Sequence, residues 1–425
     1  MPQYYHAHKV DLGKCRGHTA CMRHCPTQAI RVRRGKAFIS EELCVDCGTC
    51  LSVCPAEAIV PITDPVTEIS RFKYKVVVPS PVLYSQFDSS VHPYIIHLAF
   101  KNLGFDEVVD GSASSAALTR AMVKYVKKYN GRLPLISSHC PSMLRLIQVK
   151  YPDLVELIVP FDVPREITAR EIRKSLPVKL GLKPEDIGIV YIAPCPAKIV
   201  SIKQPAEKAR SWFDGVVSIK DVYSVLHPHI VAIKEKFDQK DVAKDFSFSP
   251  GWATLGGMTR AVEMENWLAV SGLDHVKKIL DDIENSRLRN VDFVEAMACM
   301  LGCIGGSLNV ENPYVARTNN IKQRAKYENR IRVDDDEIDQ KLKEGYYFIE
   351  NPILPRATTY FDTDLATSIK RMKERERVYQ KLPQTDCGCC GAPTCMVFAE
   401  DFVRGEAELT DCIFFSEKGG KEGEE

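Results

Sequence analysis

The sequence predicts an α/β protein with parallel sheets flanked by helices, set between two small cysteine-rich modules. Two observations carry this. The middle of the chain alternates apolar, β-branched runs (KVVVPS, LPLISS, IGIVYIAP, GVVSI) with stretches of helical period such as AALTRAMVKYVKKY and GMTRAVEMENWLAV, which is the pattern of parallel strands joined by helices. The 16 cysteines are also unevenly placed: seven lie between Cys15 and Cys54, four are scattered between Cys140 and Cys303, and five crowd between Cys387 and Cys412.

The 425 residues, 45% of them hydrophobic, suffice for two or three domains at roughly 150 residues each. The cysteine zones place the boundaries at 1–65, 66–375 and 376–425. Lysine plus arginine (57) nearly cancels aspartate plus glutamate (56), so there is no electrostatic case for a nucleic-acid or acidic-membrane partner. The N-terminus, MPQYYHAHKVDLGKC, has no apolar h-region, and no run of about 18 apolar residues occurs. Neither secretion nor a membrane span is expected, and a cytoplasmic location follows. In that reducing compartment the thiols are metal ligands or catalytic groups rather than disulfides. The charge-rich RVDDDEIDQKLKEG reads as a solvated helix or excursion, and EKGGKEGEE as a frayed, disordered tail.

In the first module, CVDCGTCLSVCP places Cys44, Cys47, Cys50 and Cys54 in the spacing C-x2-C-x2-C-x3-C-P, the run that binds a [4Fe-4S] cluster. Upstream, CRGHTACMRHCP supplies Cys15, Cys21 and Cys25, with His18 at the second ligand position. Together they look like a two-cluster, α+β ferredoxin in which the last cysteine of each run crosses to the other cluster. Cys44, Cys47, Cys50 and Cys25 then hold one cluster, and Cys15, Cys21, Cys54 and His18 the other. A neutral imidazole in place of a thiolate removes a negative charge and raises that cluster's potential. The bland alternative leaves His18 a bystander beside three cysteines.

In the middle zone two strands run straight into a cysteine motif, LPLISSHC and IGIVYIAPC, and the carboxyl ends of parallel strands are where such sheets place ligands. The pair His139 and Cys140 admits three readings: buried packing, a Cys/His nucleophile, or a metal ligand beside a proton carrier. In EAMACMLGCIGGS, Cys299 and Cys303 are spaced i, i+4, which on a helix puts both thiols on one face. With Cys140 and Cys195 they can ligate a further cubane.

Here the sequence resembles the [FeFe]-hydrogenases. Their catalytic domain carries signatures of the form TSCCPxW, MPCxxKxxE and ExMACxxGCxxGG, and this chain has SSHCPSM, APCPAKIVS and EAMACMLGCIGG in the same order. The resemblance spans roughly residues 1–375. It implies a two-lobed domain holding an H-cluster, a [4Fe-4S] cubane joined through one cysteine to a diiron subsite with CO, cyanide and an azadithiolate bridge. Carried over, Cys140, Cys195, Cys299 and Cys303 ligate the cubane, and Cys303 is the bridging thiolate. Lys198 matches the lysine that hydrogen-bonds a cyanide, Pro79 and Ser80 the segment that meets the other, and Gly256 and Gly257 the pair that lets backbone approach the diiron site.

The chain also departs from the pattern. His139 stands where catalytic members have the proton-shuttling cysteine, Ser201 replaces the glutamate of the second motif, and Ala193 its methionine. Residues 111–152, where those members place relay glutamates, contain no acid. A histidine can still carry protons near neutral pH, or it fills the missing thiol's space. Glu263 and Glu265 are substitute relay candidates, or else part of a solvated helix face.

The third module, CGCCGAPTC with a distant Cys412, places Cys387, Cys390, Cys395 and Cys412 at C-x2-C-x4-C-x16-C. It resembles a small, helical [4Fe-4S] domain of electron-transfer proteins, and it leaves only Cys389 without a role. In all, the resemblance implies an H-cluster, two N-terminal clusters and one C-terminal cluster, with H2 and protons as substrates. It implies further a redox or signalling partner protein, maturation proteins for the diiron subsite, a homodimer, an anaerobic host, and no nucleic acid or membrane. The substitutions place the chain nearest the sensory group of the family, the group D-like subgroup without a PAS domain, with low turnover. The alternatives are an assembly-factor or electron-transfer protein with cubanes but no diiron site, and a fully catalytic hydrogenase using an unusual relay.

Overall fold

The computed structural model describes residues 4–244, 246–262, 265–328, 331–356 and 364–415, and the apolar runs singled out above are strands within it. The strands are β1 (His8–Val10), β2 (Ile30–Arg33), β3 (Lys36–Ile39), β4 (Ile59–Pro61), β5 (Tyr74–Pro79), β6 (Glu107–Val108), β7 (Leu135–Ile136), β8 (Ile187–Ala193), β9 (Gly215–Ser218), β10 (Trp267–Ser271) and β11 (Phe293–Met297).

These described residues form two compact units. The smaller comprises the residues up to Cys44, Gly48–Pro61 and those from Arg356 onward; the larger comprises Val45–Cys47 and Ile62–Pro355. The third module is therefore not a unit by itself, since it folds with the ferredoxin-like residues.

In the larger unit, β6-β5-β8-β9 form one sheet and β10-β11-β7 another, and every pairing is parallel. All seven residues of β8 are buried, which is why it reads as a continuous apolar run rather than an alternating one. The helices Pro93–Asn102 and Ile219–Lys234 contribute Ile95, Ile96, Phe100, Val222 and Leu226 to a core over the first sheet. A second core joins Leu118 and Met122 of the helix Ser112–Val126 to Leu135 and Phe293 of the other sheet.

Two expectations are corrected. Among its described residues the stretch GMTRAVEMENWLAV is helical over Gly257–Val262, whereas residues 267–271 are β10, paired along their length with β11, so sheet pairing overrides the helical period. Cys299 and Cys303 do not share a helix face. Cys299 follows β11, Leu301 and Gly302 adopt left-handed φ values of 65° and 89°, and Cys303 begins a short 3-10 turn ending at Gly305. Successive left-handed residues end any helix there. The acidic stretch forms the expected solvated helix, Asp335–Lys343; it packs through buried Ile338, and Asp335 and Asp339 pair with Arg120 and Lys124 of the helix Ser112–Val126. Glu263 and the terminal segment 416–425 lie outside the described residues, and Glu265 is exposed.

In the smaller unit β1 pairs antiparallel with β4, and β2 with β3. Asp401, 1% exposed, receives Arg31 through Nε and Nη2 at 2.7 and 2.9 Å and Arg33 at 2.9 Å. Gly391, at φ 79°, brings its carbonyl against β2, where Val32 N donates to it at 2.9 Å; a Cβ there would stand 1.7 Å from Val32 O, so only glycine fits.

Candidate functional site

The four middle cysteines sit beyond the carboxyl ends of three strands. Cys140 follows β7 and caps the helix Pro141–Lys150, Cys195 follows β8 and caps the helix Pro196–Lys203, and Cys299 and Cys303 follow β11. Proline at the first turn of both helices suits a start whose N–H groups have no helical partner. The loop before Cys140 is fixed by its serines: Ser137 Oγ accepts from Ala296 N at 3.1 Å, and Ser138 Oγ donates to Phe161 O at 2.9 Å. On the other side, a Cβ on Gly306 would stand 2.4 Å from Pro194 O, so glycine there permits the third motif to lie against the second.

The thiols lie within electrostatic range of one another. Burial pushes Cys140 up, Cys195 up to about 11, and Cys299 well above the ordinary thiol range, with neighbouring thiolates adding in the same direction. Cys47, which belongs to the same unit, adds to the effect on Cys299. Cys140, Cys195 and Cys299, whose ionisation burial opposes, are donors that a cationic metal centre would ionise.

Lys198 is 3% exposed and donates from Nζ to Cys303 Sγ at 2.9 Å. Burial alone would lower its pKa, but the Cys303 and Cys195 thiolates outweigh it and hold the lysine above its usual range. His139 Nε2 stands 3.8 Å from the same sulfur. Its ring meets Trp252 edge-on, with centroids 5.5 Å apart, and Trp252 is itself tied by Nε1 to Thr119 Oγ1 at 3.1 Å. Burial first, then Lys198 and Arg165, hold the His139 pKa well below the ordinary range, so the ring facing this pocket is neutral.

Lys198 and His139 border a narrow cavity of about 40 Å³ with Pro79, Tyr191, Arg165 and Asp110. Ser80 is buried at the end of β5, its N–H donating to Ile192 O at 3.2 Å. Gly256 and Gly257 stand back from the cavity: Gly256 N donates to buried Glu295 at 2.9 Å, and Gly257 packs against the Gly251 backbone, where a Cβ would approach Gly251 O to 1.9 Å. Two cavity residues were missed by sequence reasoning. Arg165 lies in no cysteine motif; its Nη2 donates to Ser201 Oγ at 2.9 Å, while its buried Nε and Nη1 have no partner among the described residues. Asp110 lies one residue before the acid-free segment. The guanidinium with spare donors, beside Lys198 and the neutral His139, suits an anionic group held in the cavity.

In the smaller unit, burial raises the Cys21 thiol, with Cys54 and Cys15 adding to it, so these three thiols are brought together. His18 is exposed in the loop between Cys15 and the helix Ala20–Arg23. Cys387, Cys390, Cys395 and Cys412 line one small pocket with exposed Cys389.

The parallel sheets, the four thiols beyond their carboxyl ends and the flanking cysteine modules define an iron–sulfur redox protein. The model of the iron-only hydrogenase large subunit, C-terminal domain, matches residues 73–267 and 258–307, more than half of the sequence, and the chain belongs to that family. A 4Fe-4S dicluster domain matches residues 7–62 and an Fe-S cluster domain residues 382–414. Among curated relatives, the chain is 22% identical over 328 residues to the NADP-reducing hydrogenase subunit HndD of Solidesulfovibrio fructosivorans, covering 63% of this chain and 56% of that one. It is 22% identical over 254 residues to iron hydrogenase 1 of Clostridium pasteurianum, covering 50% and 44%. The chain thus spans about half the length of these relatives. A variant of the apo [FeFe]-hydrogenase HydA1 from Chlamydomonas reinhardtii superposes with a TM-score of 0.50 at 16% identity, over 69% of this chain and 97% of that one, a likeness of fold. No helix among the described residues is long and apolar enough to cross a membrane.

Proposed function

We propose that this chain is an [FeFe]-hydrogenase of low turnover that interconverts H2 with two protons and two electrons and reports hydrogen or redox state to a partner protein. In this reading Cys140, Cys195, Cys299 and Cys303 hold the cubane of an H-cluster, with Cys303 as the bridging thiolate. The diiron subsite, when bound, supplies the chemistry of making and breaking the H–H bond. Lys198 and Arg165 bind its anionic ligands, Pro79 and Ser80 close the end of β5 against it, and Gly256 and Gly257 set the backbone behind it. Trp252 orients His139, whose neutral ring gives the pocket no ready proton, and a low rate follows.

Electrons pass through the remaining clusters: one held by Cys44, Cys47, Cys50 and Cys25, one by Cys15, Cys21, Cys54 and His18, and one by Cys387, Cys390, Cys395 and Cys412. A cytoplasmic, anaerobic setting, maturation proteins and a homodimer belong to the same reading. A cubane protein without a diiron site is the poorer account, because it leaves the spare donors of Arg165, Nε and Nη1, with nothing to bind.

The observation that carries the proposal is Lys198, which donates to Cys303 Sγ and lines one narrow cavity with Arg165, whose Nε and Nη1 have no partner among the described residues. Infrared spectroscopy after cluster reconstitution and loading with the diiron subsite tests it. CO and cyanide bands are expected, and their absence overturns the assignment. Wild-type rates equal to those of catalytic relatives would overturn the sensory part alone.

A further inference from the structure

We propose that protons enter the cavity from an adjoining open groove through the hydroxyl of Ser249, with Glu328 as the outer relay group and Asp110 as the acid on the cavity wall. This rests on the reading of the site as a hydrogen-converting centre, and it names a path that the acid-free segment 111–152 leaves unassigned.

The geometry has three parts. A groove of about 800 Å³ abuts the cavity, and the two share Ser112, Ser115, Ser249 and Trp252 as walls, so hydroxyls dominate the partition. Ser249 is held at the partition from both sides: its Oγ donates to Glu328 Oε1 at 2.7 Å, and its backbone N–H donates to Ser112 Oγ at 2.9 Å. Glu328 lines the groove, where Arg324 Nε donates to its other oxygen at 3.1 Å. On the inner side Asp110 Oδ1 accepts from Ser112 N at 2.8 Å, and Asp110 lines the cavity with Tyr84, His139 and Lys198. A cavity of about 40 Å³ has room for roughly two or three waters among these polar groups.

The step balances. A protonated Glu328 carboxyl passes its proton to Ser249 Oγ as the hydroxyl releases its own proton inward to a cavity water and on to Asp110. Solvent in the groove then reprotonates Glu328. In the direction of H2 release two protons travel this way per turnover while two electrons arrive through the iron–sulfur clusters; H2 oxidation runs both in reverse. Burial raises the Asp110 pKa, which suits a group that must hold a proton between transfers.

The test compares wild type with Glu328→Gln, Ser249→Ala and Ser249→Thr, each reconstituted and loaded with the diiron subsite. Three quantities are read: the CO and cyanide bands, the exchange of H2 with D2O, and the carboxyl region of the redox-difference infrared spectrum. The bands should stay in place throughout. Exchange should fall about 100-fold in Glu328→Gln and Ser249→Ala, the scale of a lost acid–base group, and return to near the wild-type rate in Ser249→Thr. A carboxyl difference signal should vanish in Glu328→Gln. Bands present with wild-type exchange in both disabled variants overturn the route alone. Bands absent from wild type overturn the reading of the centre, and the route with it.

Discussion

Lys198 Nζ lies 2.9 Å from Cys303 Sγ, and the lysine reaches it from a helix that begins at Pro196, directly after Cys195. A buried ammonium next to a thiolate is held charged by that contact and has further N–H bonds to offer an anion beyond it. Replacing it by a neutral chain of similar reach, Lys198→Gln, should leave the iron–sulfur content intact while lowering capture of the proposed diiron subsite by at least about tenfold, the scale of a lost charge-assisted hydrogen bond. Iron content against CO and cyanide band intensity reads the two separately. Equal band intensity in the variant would remove Lys198 from the anion site.

How far the sequence foretold this site depends on whether the signal was local. The cysteines were legible because cubane spacing is set by short loops, and β5, β8 and β9 because strands buried on both faces read as continuous apolar runs. Arg165 and Asp110 were not, since neither lies in a spaced motif and only tertiary packing brings them to the cavity wall beside Lys198. The helical reading of Cys299 and Cys303 failed for a different reason. A spacing of four residues is also what a turn through Leu301 and Gly302 produces, and glycine content was the cue that favoured the turn. The third module's docking rests on Asp401 meeting Arg31 and Arg33, residues some 370 positions apart in sequence, beyond any local pattern.

His139 faces the cavity as a neutral ring whose buried Nδ1 has no partner among the described residues. The sequence argument for it as a proton carrier used the ordinary imidazole value, which this environment does not provide. His139→Cys exchanges a ring braced by Trp252 for a smaller group with a transferable proton. H2/D2O exchange in the loaded variant should rise by about 100-fold, the low end of what a positioned acid–base group contributes. No change in rate would mean that the identity of residue 139 does not limit turnover.

Asp401 is the buried carboxylate on which two arginines of β2 converge. The arginine side chains keep 17% and 23% of their exposure against 2% for the aspartate, so the loss on removing the carboxylate falls at the low end of the range for a buried pair. Asp401→Asn should cost about 3 kcal/mol. The loss should be local: the visible absorbance of a variant stripped of its other clusters by Cys→Ser substitution should bleach at lower denaturant than the same parent with Asp401. An unchanged midpoint would show that Gly391 against Val32 and the apolar contacts of Phe398 suffice.

His97 supplies a pH dependence whose sign follows from its surroundings. Its Nε2 meets the Tyr84 hydroxyl at 2.7 Å; burial first, then the charges of Lys101 and His92, lower its pKa from 6.5 to about 3. Between those values the unfolded chain binds a proton at this position that the folded chain refuses. Stability therefore rises with pH across that window, and is lost as pH falls from about 6.5 toward 3. The full difference is on the order of 5 kcal/mol, of which more than half should be gone by about pH 4.5 if the transition follows the linkage curve. His97→Gln keeps an acceptor for Tyr84 and removes the titration. Amide exchange in the helix Pro93–Asn102 should accelerate on acidification in wild type by more than in the variant, and because acid damage to the clusters is common to both, it cancels in the difference. Parallel acid profiles for the two proteins would place the charged form of His97 within reach of solvent and refute its depressed pKa.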